Sequence, residues 1–283
     1  MRYRRRFARV FSKLKKSRKK MHVPGPSPDS PTDCNLLEGR TVLVTGGASN
    51  IGRGIAVESA RQGANVVIVD IDDEALASLG KNMARYPGWT KGYHCDLSQN
   101  DAIDSLCETL QKENILVDVL ANNVGVGNET RSVVDMDIGE WQKTFATNVF
   151  GPMYLTRCIT RSMIKKQRTG SIIFITSIHQ WTVRRDAAYS ASKGALAMIV
   201  KELAVDLAPH GIRVNGIAPG WVAEDTEGDP LPQRAAVLHQ SSIQPCYIGR
   251  AAVYLSADCY SFYTTGSVLK IDAGLSLSNH LVG

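Results

Sequence analysis

Tyr189 and Lys193 stand four residues apart in the segment Tyr-Ser-Ala-Ser-Lys, and this spacing points to proton-transfer chemistry. In a helix, side chains four positions apart lie on one face, so the phenol and the ammonium would be neighbours. A nearby positive charge favours the ionised form of a phenol, whose ordinary pKa is about 10. A tyrosine in this setting can exchange a proton with an alcohol. The same spacing also occurs in ordinary exposed helices, so other motifs must support the interpretation.

Two such motifs precede the pair, and each follows an apolar run. Ser177 closes the run Ile-Ile-Phe-Ile-Thr, twelve residues before Tyr189. The turn at residues 45–52, Thr-Gly-Gly-Ala-Ser-Asn-Ile-Gly, follows the run that starts at Thr41. Glycines in such a turn let the backbone approach a pyrophosphate at the N-terminus of the next helix. Together and in this order, the motifs resemble those of the short-chain dehydrogenase/reductase family.

The resemblance implies an enzyme that interconverts a secondary alcohol and a ketone by hydride transfer with a nicotinamide cofactor. Tyr189 would be the acid/base, and Lys193 would favour its phenolate while binding the nicotinamide ribose. Ser177 would hydrogen-bond the reacting oxygen. Asn148 matches the asparagine that in this family kinks its helix and supports a chain of waters to solvent. No metal ion is expected in this mechanism.

Asp70 predicts which cofactor is used. It ends the apolar run 66–69, eighteen residues past Gly52. An acid at that position accepts hydrogen bonds from the adenosine ribose and repels the 2′-phosphate of NADP. Ser49 and Ile71 stand where NADP-preferring members of the family often carry a basic residue. The predicted cofactor is therefore NAD.

The other cofactor contacts are implied by the resemblance alone. One departure is Asn50, where the family usually has a small residue, but asparagine tolerates a positive φ better than most residues. The complete predicted set is Gly46, Ser49, Asn50, Ile51, Asp70, Asp96, Leu97, Asn122, Tyr189, Lys193, Pro219, Gly220 and Val222.

These residues need a scaffold, and the sequence predicts a doubly wound, Rossmann-like parallel α/β sheet in a single domain. From Thr41 onward, short β-branched runs alternate with longer segments of helical period. Right-handed crossovers then place helices on both faces of the sheet and a ligand crevice at the carboxyl ends of the strands. Strands are predicted near 41–45, 65–70, 90–95, 116–121, 170–176, 212–217 and 267–271.

The N-terminal extension, residues 1–35, differs in composition from the rest. Residues 1–21 hold eleven lysines and arginines and no acid, and four prolines between 24 and 31 mark a linker. The basic segment has an apolar helical stripe, so it is predicted to lie on an anionic membrane surface, to target an organelle or to bind nucleic acid. A disordered, solvated extension is the alternative. The remaining chain has more acidic than basic residues, and no nucleic-acid partner is predicted for it.

The folded domain is predicted to span 36–283, with a polar, turn-rich substrate lid at about 223–245. The loop 178–188 is expected to line the substrate pocket with His179, Trp181, Arg184 and Arg185. The two tryptophans, Trp181 and Trp221, favour an apolar or ring-shaped substrate, whereas the arginines favour an anionic one, and the choice stays open.

Assembly and location are predicted from weaker signals. Segments 138–160 and 187–207 resemble the two helices through which family members form homotetramers or homodimers. The six cysteines are scattered and show no CxxC spacing, which favours a reducing, cytoplasmic compartment. Because Asn50 and the lid depart from the family pattern, a catalytically weak or inactive dinucleotide-binding scaffold of the same fold remains the alternative function.

Overall fold

In the part of the chain that the structure describes, seven parallel strands form one sheet in the order β3-β2-β1-β4-β5-β6-β7. The strand order reverses between β1 and β4, and this switch leaves a crevice at their carboxyl ends. The predicted doubly wound α/β sheet is therefore confirmed. The strands are β1 (Thr41–Thr45), β2 (Asn65–Asp70), β3 (Thr90–His94), β4 (Val119–Asn122), β5 (Gly170–Ile175), β6 (Ile212–Pro219) and β7 (Val268–Ile271).

The computed structural model describes residues 35–127, 132, 134–223 and 242–277. The predictions for the basic tail and the linker, and for most of the lid, lie outside these residues. None of the helices in the described ranges combines the length and apolar character needed to cross a bilayer. The α-helices are α1 (Asn50–Arg61), α2 (Asp73–Met83), α3 (Asn100–Lys112), α4 (Ile138–Phe145), α5 (Gly151–Lys165), α6 (Ala187–Leu207), α7 (Pro245–Ser256) and α8 (Asp258–Ser261).

Every residue of β1, β4, β5 and β6 is buried, because helices cover both faces of the sheet. Successive side chains of a strand point to opposite faces, so β1 contributes to two separate apolar layers. Val42 and Val44 pack with Ile55 of α1 and Ile248 of α7. Leu43 packs in the other layer, which α3, α5 and α6 cover. The continuous apolar runs of the sequence thus reflect a sheet enclosed on both sides.

β4 and β6 differ most from their predicted bounds, whereas β3, β5 and β7 are each one residue shorter than predicted. β4 begins three residues later than predicted and ends at Asn122, one residue beyond. β6 continues two residues further than predicted, because Ala218 and Pro219 still pair with β7. Both differences lengthen the carboxyl ends of the strands, where the crevice lies.

Helices α1 and α7 approach so closely that glycine is required at their contact. A Cβ added to Gly54 would lie 2.5 Å from the Pro245 carbonyl oxygen, and one added to Gly249 would overlap the Gly54 carbonyl. Val222, just before the predicted lid, forms a parallel β-bridge with Ile243, which lies two residues before α7. The close helix contact therefore places Pro245, at the C-terminal end of the predicted lid, against α1, and the bridge joins the two ends of the lid.

Candidate active site

One cavity of about 1060 Å³ opens at the carboxyl ends of the strands, and most of the predicted site residues line it. Asn122 and Asn148 are the exceptions, since both are buried outside its wall. A volume of this size can hold a ligand larger than a typical drug-sized molecule. The predicted residues on its wall are Gly46, Ser49, Asn50, Ile51, Asp70, Asp96, Leu97, Ser177, Tyr189, Lys193, Pro219, Gly220 and Val222.

Tyr189 and Lys193 lie in the first two turns of α6, as their spacing predicted. Asp186 fixes the start of this helix, because its carboxylate accepts a hydrogen bond of 3.0 Å from the Tyr189 backbone N–H. The Lys193 Nζ lies 5.5 Å from the centre of the Tyr189 ring. The phenol and the ammonium are thus close neighbours on the wall of the cavity.

The Lys193 side chain is buried, and its ammonium donates a hydrogen bond of 2.9 Å to the Ile175 carbonyl at the end of β5. Burial lowers the pKa of Lys193 to about 8, because a charged ammonium is poorly solvated there. Gly125 leaves room for it, since a Cβ at that position would lie 2.9 Å from Nζ. Lys193 therefore keeps its charge at neutral pH but gives it up more readily than an exposed lysine.

Ser177 follows β5 and presents its hydroxyl to the cavity. Its Oγ accepts a hydrogen bond of 3.2 Å from the His179 backbone N–H, which caps a short 3₁₀ turn at Ile178–Gln180. Because Ser177 is the acceptor in this bond, its own hydroxyl hydrogen can still be donated to a ligand.

Asn148 lies in a π-helical turn, Ala146–Phe150, between α4 and α5. Its Oδ1 accepts from the Val126 N–H, and its Nδ2 donates to the Val126 carbonyl, both at 2.8 Å. The same Nδ2 donates to Ser192 Oγ at 3.0 Å. Single π-helical turns frequently mark functional sites. This one fixes the strand-end loop that contains Val126 against α6.

The glycine-rich turn fits a bound pyrophosphate. Gly46 and Asn50 both have positive φ angles, +58° and +41°, so the asparagine takes up the conformation expected of it. Ser49 precedes α1 without a side-chain cap, and the first turn of the helix contains no acid. The positive end of the helix therefore meets the cavity wall at Ser49, Asn50 and Ile51, where an anionic group would be stabilised.

Asp70 lies at the end of β2 and joins that strand to the glycine-rich turn. One carboxylate oxygen accepts from the Ala48 N–H at 3.0 Å. The other accepts from the N–H groups of Ile71 and Asp72, at 2.8 and 3.3 Å. A carboxylate offers about four acceptor sites, of which these contacts use three, so a ribose hydroxyl facing the cavity could still be bound.

The structure does not bring Asn122 to the cavity wall. Its Nδ2 donates to Thr156 Oγ1 at 2.9 Å, which ties β4 to α5. The next residue, Asn123, lines the cavity instead and donates to the carbonyls of Thr45 and Gly46. Two adjacent asparagines at the end of a strand point to opposite sides, and the sequence did not reveal which of them faces the cavity.

The loop 178–188 supplies only part of the wall that the sequence predicted. His179 and Arg184 line the cavity, whereas Trp181 and Arg185 do not. The Arg184 guanidinium lies over the Tyr189 ring, 4.7 Å from its centre, and the His179 ring meets the same ring edge-on at 6.2 Å. Burial, and next the charge of Arg184, lower the pKa of His179, which is therefore neutral at pH 7.

Two wall residues on the α4 side were missed. Lys143 and Thr147 are one helical turn apart and both line the cavity. Their i, i+4 spacing is a visible signal of a common face. Which face points to the cavity depends on how α4 packs, and the sequence does not show that.

Comparisons with known proteins match this domain almost throughout. The family model described as enoyl-(acyl carrier protein) reductase matches residues 46–276. Short-chain dehydrogenase reductase 3c of Arabidopsis thaliana is 31% identical over 85% of this chain and 96% of its own. A 3-oxoacyl-(acyl-carrier-protein) reductase of Thermotoga maritima is 33% identical over 84% and 98%. A crystal structure of a short-chain type dehydrogenase/reductase from Mycobacterium marinum has a TM-score of 0.79 at 28% identity, over 86% of this chain and 97% of that one.

Replacing Lys193 with methionine should change how stability depends on pH. Because the pKa of Lys193 falls from 10.5 to about 8 on folding, the unfolded chain binds more protons between these values, and the lysine adds stability as pH rises through that window. Below pH 8, burying the charge costs about 3 kcal/mol. We expect the free energy of unfolding of Lys193→Met, relative to the wild type, to fall by about that amount from pH 7 to pH 10.5.

Urea unfolding at several pH values measures this difference. Lys201→Met, at an exposed lysine of the same helix, is the matched control. A difference for Lys193→Met that does not change with pH would show that the ammonium is not buried.

Proposed function

Because the chain belongs to the short-chain dehydrogenase/reductase family of oxidoreductases, we propose that it interconverts a secondary alcohol and a ketone, with NAD as the hydride carrier. The observation that carries the proposal is that Ser177, Tyr189 and Lys193 meet on the wall of one cavity. When bound there, the nicotinamide supplies or accepts the hydride, and the protein supplies orientation and proton transfer.

Tyr189 is the proposed acid/base, since its hydroxyl takes the proton of the alcohol or returns it to the ketone oxygen. Two cations beside the ring support this role: Lys193 Nζ at 5.5 Å and the Arg184 guanidinium at 4.7 Å from its centre. Ser177 donates its hydroxyl hydrogen to the reacting oxygen and holds it beside Tyr189.

Lys193 also has a binding role in this proposal. One N–H of its ammonium is used by the Ile175 carbonyl, and an ammonium has three such donors. The other two can bind the ribose hydroxyls of the nicotinamide half of the cofactor. Asn148 supports the site from behind by holding Val126 and Ser192, and it is the proposed anchor of the water chain that carries protons to solvent.

NAD would lie along the carboxyl ends of the strands. Gly46, Ser49, Asn50 and Ile51 would hold the pyrophosphate at the positive end of α1. Asp70 would bind the adenosine ribose, Asp96 and Leu97 would lie at the adenine, and Pro219, Gly220 and Val222 would lie at the nicotinamide. All of these residues line the cavity, which supports the assignment.

Pairing of identical chains through the segments 138–160 and 187–207 is also proposed. Phe150, Met198 and Val205 are large apolar side chains in these segments, and they are 65%, 54% and 78% exposed. Burying them between copies would remove apolar surface from water.

Sedimentation at micromolar concentration should give a species of two or four chains, and a monomer would contradict the proposal.

Tyr189→Phe should keep cofactor binding and lose turnover. The substitution removes the ionisable oxygen and leaves the ring in place for packing. We expect turnover to fall by about a hundredfold or more, while calorimetry shows an unchanged affinity for NAD. The substrate for the assay comes from a screen of secondary alcohols, sugars and hydroxy acids.

Tyr260→Phe, the same deletion at an exposed tyrosine of α8, is the control. If Tyr189→Phe turned over at near the wild-type rate, Tyr189 would not be the acid/base. If the wild type bound NAD but turned over nothing in the screen, the alternative of an inactive scaffold would gain support.

The ratio of kcat/KM for NAD to that for NADP should be about a hundred or more. The charge of Asp70 opposes the 2′-phosphate of NADP, and NADP lacks the free 2′-hydroxyl that Asp70 would bind in NAD. Ile71→Arg should shrink this ratio, since a guanidinium binds phosphate well. Asp70→Ser combined with Ile71→Arg should shrink it further or invert it.

Ile71→Arg disturbs the structure less than the double variant. Ile71 is 64% exposed, and Asp70 keeps its hydrogen bonds with three backbone N–H groups. A wild-type protein that used NADP as well as NAD would mean that Asp70 does not face the ribose.

A further inference from the structure

Arg184 occupies an unusual position for an exposed arginine. Its guanidinium covers the ring of the proposed acid/base, Tyr189, 4.7 Å from the ring centre, and it lines the cavity. No ion pair within the described ranges involves Arg184, whereas Arg40, Arg61, Arg168 and Arg213 each pair with a carboxylate at 3.0 Å or less. A guanidinium that lies over an aromatic ring still has its N–H donors available to another acceptor.

The other charged groups at this end of the cavity leave a positive balance. Lys193 and Arg184 both lie beside the Tyr189 ring. His179 is neutral at pH 7, for the reasons given above. The carboxylate that lies beside them is Asp186. Its Oδ1 caps α6, and its Oδ2 and the Arg184 Nη1 both lie close to Gly127.

The other acids of the cavity wall lie far from this end. Asp70 ends β2 and Asp96 follows β3, whereas Ser177 follows β5. In the strand order, β2 and β5 are three neighbours apart, which corresponds to about 14 Å. This exceeds the Debye length of about 8 Å at physiological ionic strength. The acids at the adenosine end therefore do not cancel the positive charge beside Tyr189.

We propose that Arg184 binds an anionic group of the substrate, so that the protein acts on an oxo acid and its hydroxy acid in preference to a neutral ketone and alcohol. The proposal rests on the function proposed above, because it concerns the same site. A guanidinium forms paired hydrogen bonds with a carboxylate. The Arg184 guanidinium lies over the ring of Tyr189. A substrate whose reacting oxygen meets the Tyr189 hydroxyl can therefore place a carboxylate on Arg184 only if these two groups are a few bonds apart. A short 3-oxo acid meets this requirement.

A purely electronic role for Arg184 leads to a different expectation. If its charge acted only on the Tyr189 side chain, an acid and its neutral ester would gain equally from it. The ratio of affinities for the acid and the ester therefore separates substrate binding from an effect on Tyr189.

The test measures binding of 3-oxobutanoate and of its neutral methyl ester to the protein saturated with oxidised cofactor. NAD is used, or NADP if that is the form that binds. Oxidised cofactor cannot reduce a ketone, so calorimetry reports affinity without turnover. We expect the wild type to bind the acid about tenfold more tightly than the ester, as a charge-assisted hydrogen bond at a partly exposed site would give. Arg184→Gln should remove this preference.

Arg185→Gln is the matched control. It removes the same charge from the next residue, which is exposed and does not line the cavity. Glutamine is unbranched like arginine, which suits the left-handed φ of +66° at this position. The control should keep the preference for the acid.

Three results would overturn the proposal: equal affinity of the wild type for acid and ester, no binding of the acid, or a preference that Arg184→Gln leaves intact. Failure of the function proposed above shows itself separately, as a wild-type protein that oxidises no alcohol in the screen. The affinity ratio still decides the role of Arg184 in that case.

Discussion

The hydrogen bond from the buried Lys193 ammonium to the Ile175 carbonyl is the constraint on which the candidate site depends. A buried charge is tolerated only when polar groups surround it, so this bond fixes where α6 can lie against the end of β5. Tyr189 is on the same helix, and Ser177 follows β5 two residues later. One charged contact therefore sets the relative positions of the three groups proposed for the chemistry.

Polar contacts behind the cavity keep this arrangement rigid. Asn148 uses its side-chain oxygen and nitrogen to bind Val126 and Ser192, and Ser192 in turn donates to the Tyr189 carbonyl at 2.7 Å. Asp186 holds the first turn of the same helix. The helix that presents Tyr189 is thus fixed at its start and one turn later, by side chains that do not line the cavity. Such support keeps reacting groups within the small tolerances that catalysis requires.

Charge is distributed along the sheet edge in the same order as the strands. Asp70 and Asp96 lie at the ends of β2 and β3, and the cations Arg184 and Lys193 lie near the end of β5. Parallel strands present their carboxyl ends at one edge, so residues far apart in the chain become a linear series of sites. The glycine-rich turn, with the positive end of α1, stands between the two groups. A dinucleotide and a small substrate can therefore occupy one cavity and meet opposite local charges.

Much of this organisation followed from the sequence itself. Continuous apolar runs identified the central strands, because a sheet covered on both faces excludes polar residues from its interior. The local spacing of Tyr189 and Lys193 placed them on one helical face. The sequence did not show which side chains face the cavity or how the helices pack. Asn122 contacts α5, whereas Asn123 lines the cavity. Arg184 lines the cavity and Arg185 does not. Lys143 and Thr147 also line it, although the sequence analysis did not predict this. These outcomes depend on contacts between segments distant in the chain, and only the tertiary structure brings those segments together.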